Sequence, residues 1–340
     1  MLRVKYDIDF KTCNGQVLNW FQPIDDEARF QQMMHDRGII WDKNLDHYDL
    51  LVKHTGNWNW REDEPHVILY GHDEASIIDG FRHNALYNSR VKLILAPNTY
   101  RDHADHNDPH FDFSTFGTMI YNHTPIERLP HNQYPVCPQL IRDLSVVEKK
   151  VLPFGSMMWT RFYGYKSGSP SIDKKYIDIN LLGRIGNYTK WSTVEHRRAC
   201  HSAVEKLPSS LVKLTAGRTA LDTGEHFESL RRSKIVLSPW GFGETTGRDH
   251  QGLQAGCVVI KPNTSHVRTE PDLYDGRYKN LVYCRPDYSD LPELVERILD
   301  EWREWRPIIE QNQKIVWDLG NSDYMLVDQL AAHLHRAVNL

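Results

Sequence analysis

Short apolar runs recur along this chain, and the stretches between them place apolar residues three or four positions apart. That alternation of two periods restricts the available folds more than any other feature of the sequence. Residues 2–10 carry Leu2, Val4, Tyr6, Ile8 and Phe10 at every second position, and 48–52, 66–70 and 91–96 are compact apolar runs. Residues 25–38 set Ala28, Phe30, Met33 and Met34 among charged side chains and end at Gly38, the pattern of a short amphipathic helix. Runs of this length separated by helical stretches predict a parallel sheet covered on both faces.

The rhythm breaks over 150–175, where Gly164, Ser167, Gly168, Ser169, Pro170 and Ser171 read as a linker, and then restarts. Strands are expected at 176–182, 211–215, 234–238, 257–261 and 280–284. Helices are expected at 192–207, 224–232, 248–255 and 291–305, and again from 312 to the end. A length of 340 residues exceeds one ordinary core. The expected class is α/β. An N-terminal Rossmann-like domain spans 1–160, a linker 161–175, a second Rossmann-like domain 176–310, and a helical segment 311–340 packs back on the first domain. No repeat with a period of about 20–50 residues is visible.

Charge and composition exclude several classes. Lys plus Arg is 41 and Asp plus Glu is 45, a formal charge of −4, without the basic excess of a nucleic-acid binder. Nucleic acid is therefore not expected as a partner. No run reaches the ~18–20 apolar residues of a membrane helix. Residues 1–10 are charged throughout, with no apolar core of a signal peptide. The expectation is no membrane span and a cytoplasmic location. Cys13, Cys137, Cys200, Cys257 and Cys284 are odd in number and form no C-x-x-C pair, which argues against a disulfide framework or zinc knuckle. Polar-tipped aromatics are abundant, with 18 His, 10 Trp and 16 Tyr. Trp20, Trp58 and Trp60 are candidates for stacking on sugars, although core packing or loop anchoring is the simpler account.

The densest segment is 233–262, SKIVLSPWGFGETTGRDHQGLQAGCVVIKP. A buried strand ends at Ser238-Pro239, a loop of small residues runs from Trp240 to Gly247, and a helix opens near Arg248. Ligands of open α/β sheets bind at the carboxyl ends of the strands. A glycine loop there lets backbone N–H groups and a helix N-terminus approach a phosphate, and Arg248 can add a bidentate contact. A plain strand–turn–helix with glycines for tight turning accounts for the same residues. The loop is neither a Walker loop, lacking G-K-[ST], nor a first-unit G-x-G-x-x-G.

This run, with Asn263-Thr264-Ser265-His266 and Pro271-Asp272-Leu273-Tyr274 after it, resembles the donor-binding half of GT-B glycosyltransferases of the exostosin-like and group 1-like kind. The resemblance covers about residues 176–305. It implies two Rossmann-like domains facing a cleft, with a nucleoside-diphosphate sugar held mainly by the second. Glu244 then matches the loop acid that contacts the donor sugar, and Arg248 the arginine at the diphosphate, with Gly243, Thr245 and Thr246 around it. Gln251 falls where relatives carry an acid that grips the ribose, a departure that leaves the nucleotide preference open. Lys261 matches a basic position after the next strand, and Arg184 could also face the diphosphate. No metal and no further cofactor is expected, because such enzymes set positive side chains against the leaving diphosphate.

Residues 101–112, RDHADHNDPHFD, form a second constellation. His103, Asp105, His106, Asp108 and His110, with His72 and Asp73, could ligate a metal, which would make the chain a metal-dependent hydrolase. On the transferase reading the same loop faces the acceptor, and His72, Asp73, His103 or Asp105 could act as general base. A solvated polar loop is the third reading. The leading expectation is a glycosyltransferase acting on an acceptor hydroxyl of a glycan or glycoconjugate. The metal-dependent hydrolase, a phage-type transferase acting on DNA bases and a non-catalytic sugar- or nucleotide-binding protein are the alternatives.

Overall fold

A computed structural model of the chain describes residues 1–7, 27–54, 65–69, 88–96, 98–100, 150–155, 171–183, 191–216, 223–240, 245–265, 267–285, 287–320 and 322–340. Two parallel sheets account for most strands, as the alternating runs require. The first contains β1 (Leu2–Asp7), β2 (Ile39–Asp42), β3 (Leu50–His54), β4 (His66–Leu69), β5 (Val91–Ala96) and β7 (Val151–Pro153), in spatial order β2-β1-β3-β4-β5-β7. The second contains β8 (Ile177–Leu182), β9 (Lys213–Ala216), β10 (Ser233–Leu237), β11 (Val258–Pro262) and β13 (Leu281–Cys284), in order β9-β8-β10-β11-β13. Counted within each sheet, both follow the order 2-1-3-4-5, and the first adds a sixth strand. This is one of the two common doubly wound orders, with its reversal between the first and third strands. The α/β class with two Rossmann-like sheets is thus as expected.

Seven helices lie among the described residues: α1 (Glu27–His35), α2 (Trp191–Glu205), α3 (Thr223–Arg231), α4 (Gly247–Gln254), α5 (Leu291–Asp300), α6 (Trp302–Gly320) and α7 (Asp323–Val338). The second sheet buries both faces. Ile235, Leu237, Val258 and Ile260 point to one side, against Cys200 and Val204 of α2 and Leu291, Val295 and Ile298 of α5. Val236 and Val259 point to the other, where Leu230 of α3, Leu253 of α4 and Val316 of α6 lie. Such strands read as continuous apolar runs because neither face meets water. At Gly252 a Cβ would fall 2.7 Å from Val259 Cγ2, so α4 approaches the sheet more closely than any side chain there would permit.

Among the described residues, two structural ties join the halves. A short antiparallel pair links β6 (Asn98–Tyr100), just after β5, to β12 (Val267–Thr269) of the second half. The helix α7, last in the chain, packs on the first sheet: Leu326, Val327, Leu330, Ala331, Leu334 and Ala337 share a core with Val4, Met34, Leu93 and Leu95. Arg37 beside α1 donates to Asp328 of α7 (2.5 Å). The expected return of the C-terminal helix to the N-terminal half is therefore present. No described helix is long and apolar enough to cross a membrane.

The burial of α7 generates a test. Leu334 is fully buried in the first core, so Leu334→Ala is expected to destabilise the protein by about 2–5 kcal/mol. A lower midpoint in urea denaturation reads this. An unchanged midpoint would mean that α7 adds nothing to that core.

Candidate functional site

In the second sheet the strand order reverses between β8 and β10, so their carboxyl ends, Leu182 and Leu237, border the place where such sheets take ligands. Arg248, in the first turn of α4, spans these ends. Its Nη2 donates to the Leu182 carbonyl and its Nη1 to that of Leu237 (3.4 Å). Gly183 follows Leu182 because the guanidinium occupies the space beside it: an added Cβ would fall 3.0 Å from Arg248 Nη2.

Further basic groups surround this point. His201 of α2 is hydrogen-bonded to the Gly183 backbone. Burial lowers the His201 pKa, and the charges of Arg248 and Arg197 lower it further, against the pull of that hydrogen bond and Glu205. His226 of α3 lies 3.0 Å from Gln251 Oε1 through its Nε2. Its pKa is also lowered, first by burial and then by Arg248, with the Gln251 bond opposing. Arg197 donates to the Trp240 carbonyl (3.2 Å). Two arginines and two histidines from three helices thus surround one strand-end position. Both histidines feel the Arg248 charge, and His201 that of Arg197 as well, a field that an anion would relieve.

The first turn of α4 is set from below. Thr246 is the N-cap, and Asp249, three residues on, accepts its backbone N–H (3.1 Å). Both carboxylate oxygens are saturated. Ser238 donates at 2.5 Å, Tyr274 at 2.5 Å, Lys261 at 2.6 Å and the Thr246 hydroxyl at 3.3 Å. Asp249 and Lys261 are both 0% exposed. Burial alone would raise the Asp249 pKa, but the Lys261 charge and the bonds from Lys261, Ser238 and Tyr274 outweigh it and hold the carboxyl below the usual range. The ammonium also lies 4.6 Å from the centre of the Tyr274 ring. At the far end of α4, the buried Lys175 ammonium donates to the Ala255 carbonyl (3.0 Å) and that of Ser233 (2.8 Å), a cation placed against a helix C-terminus.

The entrance to the glycine loop is fixed as well. His196 stacks on Trp240 (5.0 Å between centroids, 18° between planes), and Trp240 Nε1 donates to Thr264 (3.3 Å). His196 Nε2 lies 2.7 Å from the Tyr288 hydroxyl.

Of the residues singled out in the sequence, the structure brings Thr245, Thr246 and Arg248 to the N-terminal end of α4, Gln251 to its middle and Lys261 against its first turn. Arg248 lies over the strand ends and Gln251 against His226. Lys261 is directed into the protein interior, its ammonium held by Asp249 rather than facing outward. Arg184, Gly243 and Glu244 lie outside the described residues. So do His72, Asp73, His103, Asp105, His106, Asp108, His110, His266, Trp20, Trp58 and Trp60. Among the described residues no three His, Cys, Asp or Glu side chains are grouped to hold a metal. Asp249, His201 and His226 were missed in the sequence. Thr246-Gly247-Arg248-Asp249 is a T-x-x-D capping signature that could have placed Asp249. The two histidines reach the site only through packing and leave no local signal.

No protein-family model matches the sequence, and no curated protein matches it significantly. Among solved structures, an α-glucosyltransferase in complex with UDP-glucose and DNA containing an abasic site matches with 9% identity and a TM-score of 0.41, covering 93% of this chain and 95% of that one. T4 phage β-glucosyltransferase in complex with UDP-glucose matches with 10% identity and a TM-score of 0.42, over the full length of both chains. Identities and scores this low leave the function to be read from the chain's own residues.

One consequence concerns acid stability. His250 in α4 is 1% exposed, and its Nδ1 has no hydrogen-bond partner among the described residues. Burial lowers its pKa to about 4; Asp249 opposes the shift and Lys261 adds to it. The folded value lies below the ordinary 6.5, so its contribution is complete above pH 6.5 and is lost as the pH falls toward 4. Over that window wild type should lose about 3 kcal/mol more than His250→Gln. Urea melts of the two proteins at pH 7.5, 6 and 4.5 measure this, and parallel curves would refute it.

Proposed function

We propose that this chain is a glycosyltransferase that moves a sugar from a nucleoside-diphosphate sugar to an acceptor hydroxyl without a metal ion. The observation that carries the reading is Arg248 lying across the ends of β8 and β10, at the strand-order reversal, with His201, His226 and Arg197 around it. On a chain of net charge −4, Arg248 and Arg197 bring two positive charges, with two neutral imidazoles beside them, to a helix N-terminus, an environment suited to a diphosphate.

In the reaction the acceptor oxygen attacks the anomeric carbon. The bond from that carbon to the β-phosphate oxygen breaks, and the diphosphate leaves with the electron pair. Arg248 and the N–H groups opening α4 take up the charge that develops on it, the part a divalent cation plays elsewhere. His201 and His226, held neutral by burial and the neighbouring arginines, gain proton affinity as the dianion forms. Glu244 is assigned to the hydroxyls of the donor sugar. His72, Asp73 and Asp105 are the candidates to take the acceptor proton. Gln251, with its carbonyl engaged by His226, offers its amide N–H groups to the nucleotide. Arg184, Gly243, Thr245 and Thr246 complete the donor site. The net charge is a sum over the whole chain and leaves local basic surface possible, so acceptors to be tested include glycans and DNA with a hydroxylated base.

A thermal-shift screen against UDP, GDP, ADP, CMP and their sugar conjugates, with and without EDTA, tests the reading. One nucleotide at about 100 times its Kd should add roughly 2.7 kcal/mol of stability, unchanged by EDTA and lost in Arg248→Ala. Gly183→Ala, which pushes the guanidinium aside, should weaken the response while leaving the ligand-free melting temperature within a few degrees. No response to any nucleotide, together with a drop in melting temperature on EDTA, would overturn the proposal in favour of metal-dependent hydrolysis.

A further inference from the structure

Lys261 has the residue type of a phosphate ligand and none of the exposure. It is 0% exposed on β11 and its ammonium is spent on Asp249 (2.6 Å), in the same turn of α4 as Arg248. Successive helical residues point about 100° apart. Drawing Asp249 inward, toward Lys261, Ser238 and Tyr274, therefore fixes where Arg248 points. The same contact has an electrostatic side. Kept ionised by Ser238, Tyr274 and the Thr246 N–H, an Asp249 without Lys261 would leave an unbalanced negative charge in the first turn of α4 and repel any phosphate there.

The geometry points to Lys261 as a positioning residue of the anion site: by holding and neutralising Asp249, it aims Arg248 at the strand ends and keeps the Asp249 charge out of the field that a diphosphate feels. This rests on the diphosphate reading above and assigns Lys261 a role without ligand contact. The charged and titratable groups that act on Asp249 are Lys261 on β11, Tyr274 after β12 and His250 beside it on α4; the Arg248 guanidinium is turned to the strand ends. Of these, Lys261 alone is a full positive charge in direct contact with the carboxylate.

Titration calorimetry would use three probes: the nucleoside diphosphate that most stabilises the wild type, its parent nucleoside, and inorganic pyrophosphate. Lys261→Met is expected to weaken diphosphate and pyrophosphate binding by roughly ten- to thirtyfold, with nucleoside binding little changed and KM for the donor raised more than kcat falls. Lys261→Met/Asp249→Asn removes both charges and should recover most of that affinity. Equal losses for diphosphate and nucleoside, or no recovery in the double variant, would show a purely structural role and overturn the proposal. Should Lys261→Met not fold, the double variant and Tyr274→Phe decide. Tyr274→Phe keeps both charges but removes one bond to Asp249, and it should cost about three- to fivefold on the diphosphate alone. Unaltered binding in Tyr274→Phe together with a large loss in the double variant would overturn the proposal. A wild type that binds none of the three probes overturns the diphosphate reading itself, a result separate from any variant.

Discussion

The buried ion pair between Asp249 and Lys261 is the contact on which the second half's architecture depends. Removing two charges from water is costly, and a buried pair persists only where further hydrogen bonds satisfy what the pair leaves open. Here those bonds come from Ser238 at the end of β10, Thr246 at the helix cap and Tyr274 after β12. The carboxylate thus joins a strand end, a loop, a neighbouring strand and a distant turn at one point. An apolar replacement could fill the volume, but it would not fix the rotation of α4. That rotation sets Arg248 over the ends of β8 and β10, and Gly183 is small because Arg248 is there.

Most of the fold was legible because buried parallel strands leave a plain mark. The runs at 91–96, 234–238 and 257–261 appear as β5, β10 and β11 with small changes at their ends. The strands missed were the short ones. β2 follows Gly38 directly, β6 has three residues, and β7 ends in Pro153, so none supports a periodicity. β6 and β12 exist only because they find each other across the two halves. The helical reading at 291–305 also merged two elements, since α5 ends at Asp300 and α6 begins at Trp302.

The site was legible in part, for a related reason. Arg248 could be located because it opens a helix after a buried strand, a pattern confined to a few consecutive residues. Lys261 was singled out only through the resemblance, as a basic position after the strand, and it lies within β11. Its direction was not readable, since either face of a buried strand is apolar and only the position of Asp249 decides which way the ammonium turns. His201 and His226 come from separate helices, and nothing local marks a histidine that tertiary packing will place beside an arginine.

The placement of α7 has a consequence for the order in which the molecule can be made. Its residues complete the core of the sheet whose strands precede the second half, yet α7 itself follows every strand of both sheets. During vectorial synthesis the first sheet therefore waits, with Val4, Leu93 and Leu95 incompletely covered, until the second half has been translated. Domains that fold one after another avoid such an interval, while this chain exposes apolar surface throughout it. Chaperone demand should thus centre on the half that emerges first, and truncation near the C-terminus should be felt at the N-terminal sheet.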